Sequence, residues 1–313
     1  MRITSATGER PGGQAGEVPA SGPAVPRLVL GTRLRRLREA QFITAAEAAD
    51  SLRAPEEHVT AMELGRSGFR PRDVADFLRI YGVTDEAERA TLIALMEEAN
   101  RPGWWHSYQD VVPAWLHTYL GMEEAAGVIR SYEVQFVPGL LQTPDYARAV
   151  IALRDDAGEP RAAERRERRL ALRMRRQEIL RGPRPPHLWA VIDEAALRRP
   201  IGGPEVMRAQ LRHLVEVCEL PHVTVQVMPF AAGGHPAAGG PVTLLRLPQS
   251  ELPDVVYLEQ LHGAHYPEDP ADVERYRHVI DHLVTRAEPA TRTRAFLERI
   301  LDETATSRGR RGQ

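Results

Sequence analysis

Apolar positions along this chain fall into two regimes. From residue 28 to residue 100 they recur at spacings of three and four: Leu28, Leu34 and Leu37, then Ala48, Ala49 and Leu52, then Val59 and Met62, then Val74, Phe77, Leu78 and Tyr81, then Leu92, Leu95 and Met96. An apolar stripe with that period marks an amphipathic helix, so the stretch predicts five short helices forming one bundle. Beyond Arg101 the period changes. Residues 188–192, 223–228, 242–247 and 255–258 are short strand-like runs separated by Pro and Gly, with helical patterns at 161–181, 205–219 and 272–300. The expected fold class is α+β and mostly helical, a five-helix bundle followed by a domain with a small mixed sheet packed by helices. The expected organisation is a disordered tail over 1–26, the bundle over 27–100, the second domain over 101–303 and a basic disordered tail over 304–313. Residues 1–26 are rich in Gly, Pro, Ala and Ser and lack any apolar period.

The second and third predicted helices form a helix-turn-helix. Thr44 stands at an N-cap with Glu47 three residues on, as in a capping box. A break follows at Arg53-Ala54-Pro55, and Gly65 closes the next helix as a C-cap glycine does. Small Ala49 lets the two helices cross closely while Leu52, Val59 and Met62 fill the space between them. This arrangement places a second helix in a DNA major groove. Glu57, His58 and Ala61 then face the bases, Arg33, Arg36, Arg66, Arg70 and Arg72 supply phosphate contacts, and Thr44 is a further candidate DNA-binding residue. For the arginines of the first helix, a solvated face is an equal alternative.

Charge weakens this picture. The chain carries 41 basic and 43 acidic residues for a net charge of -2, with every basic side chain an arginine apart from histidine. Residues 27–82 hold ten Arg against eight Asp and Glu, only about +2, and phosphate neutralisation supplies most non-specific affinity. Glu56 and Glu57 turn negative charge toward the groove, although acids also suit a helix N-terminus. The strongest basic stretch lies elsewhere: residues 161–181 contain nine Arg and three Glu. It reads either as a solvated face or as a contact for an acidic partner or nucleic acid.

Candidate chemistry in the second half is dispersed. Trp105, Tyr108, Tyr132, Gln142, Tyr146, Glu194, His235 and Glu259 are the candidate lining of a ligand pocket, with the glycine-rich loop at 230–240 placed to cover it. An enzymatic alternative would use His262, His265, Glu194, Tyr132 and Tyr266 for proton transfer on a small metabolite, in a cyclisation or rearrangement. His278 and His282 share a helix face but lack a third ligand at diagnostic spacing, so no metal is expected. The glycines at 230–240 lack the spacing and context of a nucleotide fingerprint, and no cofactor is expected. The lone Cys218 excludes an internal disulfide and sits in an apolar helical pattern as a small hydrophobe. No apolar run approaches the ~18 residues of a membrane span and no signal peptide is seen, which points to the cytoplasm.

The phrases RPGWWHSYQDVVPAWLHTYLGMEEAA from Arg101, IRSYEVQFVPGLLQTPDYARAV from Ile129, LWAVIDEAALRRPIGGPEVMRAQLRHL from Leu188, LPHVTVQVMPFAAGGHPAAGGPVTLL from Leu220 and PDVVYLEQL from Pro253 resemble one family. These are actinobacterial Xre-type helix-turn-helix regulators with a large C-terminal domain of unknown function, also described as antitoxin-like transcriptional regulators. The resemblance spans roughly residues 28–301. It implies a transcriptional regulator binding double-stranded DNA as a homodimer, with the C-terminal domain taking a small molecule or a small partner protein. The departures fall on the DNA-reading helices. Family members usually carry Gln at the place of Ala45, Gly at Arg53, Ser at Glu57, a basic residue at His58 and often Arg at Ala61. A weakened reading helix beside an altered histidine-bearing loop leaves open two further functions, a metabolite enzyme and a protein-binding adaptor.

Overall fold

A computed structural model describes residues 24–153, 161–237, 239–250 and 252–309, the last five through their backbone alone. The expected tails lie outside the described residues at 1–23 and 310–313. At their inner ends they are helical. α1 (Ala24–Ala40) begins two residues before Pro26, and the chain's last helix runs to Gly309. Ala24 and Val25 are 2 % and 3 % exposed, so burial of their side chains holds the first turn in helix.

The bundle comprises α1, α2 (Ala45–Leu52), α3 (Glu56–Glu63), α4 (Pro71–Ile80) and α5 (Glu86–Asn100). Thr44 caps α2 in a full capping box: its hydroxyl accepts from Glu47 N at 3.2 Å and the Glu47 carboxylate accepts from Thr44 N at 2.7 Å. Arg53 ends α2 at φ 53° and ψ 42°, the left-handed region where a side chain is strained and glycine is not. Leu30, Leu34, Val59, Met62, Phe69, Phe77 and Leu78 close one core. α1 lies hard against α3: a β-carbon on Gly31 would come within 2.5 Å of the Met62 and Glu63 carbonyl oxygens. Next to that approach Arg38 donates to both Glu63 carboxylate oxygens, at 2.6 and 2.9 Å, and to the Ile43 carbonyl at 2.7 Å. The two side chains are 10 % and 6 % exposed. The Glu63 hydrogen bond holds the Arg38 guanidinium above its ordinary pKa.

The second module begins with a 3-10 turn over Trp104–Tyr108 and α6 (Ala114–Ala125). It continues through β1 (Val128–Glu133), α7 (Pro144–Ala152), α8 (Ala162–Gln177), β2 (His187–Asp193), α9 (Glu194–Arg198) and α10 (Pro204–Val217). β3 (Val223–Met228), β4 (Val242–Arg246), β5 (Val255–Gln260), β6 (Gly263–His265), α11 (Pro270–Arg286) and α12 (Ala290–Gly309) complete it. The sheet is mixed, in the order β3-β2-β1-β4-β5-β6. β1, β2 and β3 run parallel, whereas β4, β5 and β6 each run antiparallel to the neighbour before them in that order. The central strand is thus β1, a segment the hydrophobic pattern leaves unassigned. α11 covers one face through Ile280 and Leu283 against Val191, Leu244 and Val256. On the other face α6, α7, α10 and α12 pack with the first turns of α1 against Ile129, Leu188, Ala190, Val225 and Leu245.

α1 therefore belongs to two cores, Leu30 and Leu34 to the bundle and Ala24, Val25 and Val29 to the second module. A boundary at residue 101 divides the elements but not the packing. Among the described residues no helix is long and apolar enough to cross a membrane.

Two stability changes follow. Arg38→Ala leaves the Glu63 charge buried without its partner and is expected to cost about 3–5 kcal/mol in urea unfolding; a loss under about 1 kcal/mol would show that the pair does not hold α1 to α3. Arg53→Gly relieves the left-handed strain and is expected to gain about 0.5–1 kcal/mol in the same measurement.

Candidate functional site

On the bundle, the outer face of α3 presents Glu56, Glu57 and Thr60, with Ala61 half-buried beside them. His58 turns inward instead: its Nε2 lies 3.2 Å from Asp73 Oδ2 on α4. Thr44 is occupied as the α2 cap. Arg72 is exposed, 4.0 Å from Asp76, and Arg70 is half-buried at the N-cap of α4. Arg66 is ion-paired with Glu268 of the second module. Arg33 and Arg36 line a shallow depression with Glu88, Thr91 and Leu92 of α5. Helical periodicity puts them on the side of α1 opposite Gly31 and Arg38, away from α3. Glu57, Ala61, Arg70 and Arg72 thus stand around α3, whereas Arg33 and Arg36 stand apart from it.

The second module holds a cleft of about 1400 Å³ between the sheet, α6 and α8. Its floor is built by strand alternation, which turns Ile129, Ser131 and Glu133 of β1 to one face. Register aligns Ser131 with Thr243 of β4, and Thr243 with Tyr257 of β5. Two residues further along, where β4 begins after Pro241, Glu133 of β1 and Glu259 of β5 both line the cleft from the two strands that flank β4. Ser131 is 6 % exposed, and its hydroxyl faces the cleft without a hydrogen-bond partner.

The opposing wall is the basic helix. Arg165, Arg169, Arg173 and Arg176 recur along one side of α8 and all line the cleft. Arg176 donates to both oxygens of Glu123 on α6 at 2.8 Å, and Tyr119 donates to the same carboxylate at 2.8 Å. Arg173 donates to Gln142 at 2.8 Å, and Gln142 in turn donates to the Val137 carbonyl. Aromatic surface lies between floor and wall: Tyr119 and Tyr257 pack with ring centroids 4.1 Å apart and planes tilted by 33°, with Trp115 nearby on α6. Burial, then the neighbouring Glu259 carboxylate, pushes the Glu133 carboxyl up to about 8 against the pull of Arg173 and Arg176.

Of the expected pocket residues, only Gln142 and Glu259 line this cleft. Trp105 is 1 % exposed, packed with Val112, Leu120 and Leu172 because a large ring fills the space under α6 and α8. Tyr108 packs on Trp104 and beneath the Arg168 guanidinium. Tyr146 is core, its hydroxyl accepting from Val137 N at 3.2 Å. Tyr132 points to the opposite sheet face, where it donates to Asp193 at 3.1 Å and meets His235 Nε2 at 2.8 Å. Glu194 accepts from Arg198 at 2.6 Å and from Phe230 N at 2.8 Å, anchoring the loop rather than facing a cavity. The described part of the glycine-rich loop lies on the α11 side, tied down by Arg286 to the Ala232 and Gly234 carbonyls, and among its described residues only Gly240 reaches the cleft.

The residues of the enzymatic alternative are likewise scattered. His262 is exposed on the cleft rim, His265 is exposed at the end of β6, and Tyr266 packs on Tyr257. Tyr132 and Glu194 lie beyond the opposite face. No group of three or more His, Cys, Asp or Glu among the described residues is placed to hold a metal. Cys218 is half-buried, and burial pushes its thiol up to about 11, well away from reactivity. Sequence reasoning missed Ser131, Glu133, Tyr257 and the arginine stripe as one site; the β-branched and aromatic residues of VIRSYE were the available signal for β1.

The family described as "Domain of unknown function (DUF5753)" matches residues 116–299, and a "Helix-turn-helix domain" family matches residues 29–92. No curated protein and no solved structure matches the chain.

The Glu133 carboxyl carries a pH signature. Between its ordinary value of 4.5 and about 8, the folded chain keeps a proton that the unfolded chain has released, so this group's contribution to stability falls as pH rises. The groups facing it are Glu259, Arg173, Arg176 and Tyr146. Relative to the parent chain, Glu133→Gln is expected to gain unfolding free energy as pH is raised through that window and to level off above it. Urea unfolding at a series of pH values measures this, and a difference independent of pH would refute the assignment.

Proposed function

The chain belongs to the DUF5753 family and carries a helix-turn-helix domain ahead of that domain, and from this we propose that it is a DNA-binding transcriptional regulator of the Xre class. α3 enters the major groove with Glu57 and Ala61 toward the bases, and Arg66, Arg70 and Arg72 meet flanking phosphates. The chain acts in the cytoplasm as a homodimer, since two modules of weak net charge together reach the phosphate count that one lacks. The second module reads a small molecule held in its cleft and passes occupancy to the DNA face.

The observation that carries this reading is the shared packing of α6 and α1. α6 lines the cleft through Trp115, Tyr119 and Glu123, and its Gly121 meets the first turn of α1, where an added β-carbon would come within 2.8 Å of Ala24 N. α1 in turn is clamped on α3 by Arg38 and Glu63. Cleft and recognition helix are thus joined by two helices in direct contact. The ion pair of Arg66 with Glu268 supports the same reading, because a phosphate on Arg66 would compete with a carboxylate of the second module.

Binding of the full-length chain to its own promoter fragments over a salt series tests the DNA half. Three phosphate contacts on each of two protomers predict a slope of log affinity against log salt near -5, and Arg70→Gln in both protomers reduces it by about 2. A flat slope, or no binding in dilute buffer, would sink this reading.

A further inference from the structure

Resting on the sensing reading above, we propose the chemical class of the cleft's ligand: a small zwitterion with an aromatic body, its ammonium group seated between Glu133 and Glu259 and its anionic group against the arginines of α8.

The charge layout selects for both signs at once. The wall carries Arg165, Arg169 and Arg173 beside the Arg176–Glu123 pair, and the floor carries two carboxyl groups. A purely anionic ligand long enough to cross the cleft would meet those carboxyls, and a purely cationic one would meet the arginines. A molecule bearing both charges at opposite ends complements each side, and each charge excludes the wrong partner.

Three further observations fix the class. One strand separates β1 from β5, a spacing of about 9–10 Å, and Glu133 and Glu259 on those strands both line the cleft, which leaves room for one ammonium group between the two carboxyls. The Ser131 hydroxyl, nine-tenths buried on the same strand as Glu133 and without a partner, offers the polar contact that such a group completes. Between the charged ends, the packed Tyr119 and Tyr257 rings and Trp115 form an apolar span suited to a flat ring. The high Glu133 carboxyl adds a signature: an ammonium group arriving beside it favours the ionised form and expels its proton.

Calorimetric titration of the full-length chain compares three probes of one shape, tyrosine, tyramine and 3-(4-hydroxyphenyl)propionate. Tyrosine is expected to bind at least about tenfold more tightly than either singly charged probe. Titration in buffers of different ionisation enthalpy is expected to show proton release with tyrosine and tyramine but not with the propionate. Glu133→Gln is expected to abolish that release and bring tyrosine level with the propionate, and Arg169→Gln to bring tyrosine level with tyramine. Equal affinity for the three probes, or none for any at about 1 mM, would overturn the proposal. The titration contains no DNA, so the outcomes separate. A chain that takes tyrosine but holds its promoter equally with and without it refutes sensing and leaves the ligand class standing. One that binds its promoter and does not distinguish the probes refutes the ligand class alone.

Discussion

One helix cannot be moved without disturbing two cores. α1 gives Leu30 and Leu34 to the bundle and Ala24, Val25 and Val29 to the second module, all 5 % exposed or less. Close-packed interiors resist gradual deformation and shift between discrete arrangements. The approach of Gly31 to the α3 carbonyls leaves no room for a larger residue, and the Arg38–Glu63 pair adds a bidentate, largely desolvated link at the same seam. α1 and α3 thus behave as one body, and the position of the recognition helix is set by whatever positions α1.

The two seams of α1 are not equally sound. Against α3 its buried charge is paired. Against the second module it carries Arg27, 3 % exposed, with Nε and one terminal nitrogen lacking any hydrogen-bond partner. Burial lowers the pKa of this guanidinium to about 10. Burial likewise lowers the pKa of His117 on α6, whose Nε2 also lacks a partner. A buried cation without a partner, as Arg27 is, costs several kcal/mol relative to a paired one. The apolar packing of Ala24, Val25 and Val29 offsets that cost, so the α1–α6 seam is held by a smaller margin than the α1–α3 seam.

Regular periodicity made the bundle legible. Its five helices, the Thr44–Glu47 capping box and the strained Arg53 position all answer to local rules that a single sequence displays. The second module was legible wherever apolar residues alternated along a strand, as in Val223–Met228. The central strand was not, because VIRSYE turns Ser131 and Glu133 inward where a core strand would place Val or Leu. Those polar residues face the cleft, so the same substitution that hid the strand created the site. The arginines of α8 illustrate the complementary failure. A run rich in charge reads as a solvated face, and nothing in its own spacing says that one side meets two carboxyl groups across a gap. Trp105, Tyr132 and Tyr146 were misleading for a related reason: large aromatics with polar tips suit a pocket and a core equally well, and only the tertiary neighbours decide.

On the proposed reading, the modest charge of the DNA module is an advantage. A ligand changes operator affinity only by its differential affinity for the two arrangements of the chain, commonly about 1–3 kcal/mol or about 5- to 150-fold. A module seated on DNA by a dense field of arginines would remain bound across such a range at physiological salt, whereas one that depends on few phosphate contacts lies where that factor separates bound from free. The place where the factor enters is the weaker seam. α6 presents Tyr119 and Glu123 to the cleft and His117 and Gly121 to α1. A ligand seated on Tyr119 and Tyr257 acts on the helix that faces the unpaired Arg27, and α1 carries the result to α3 through its stronger clamp.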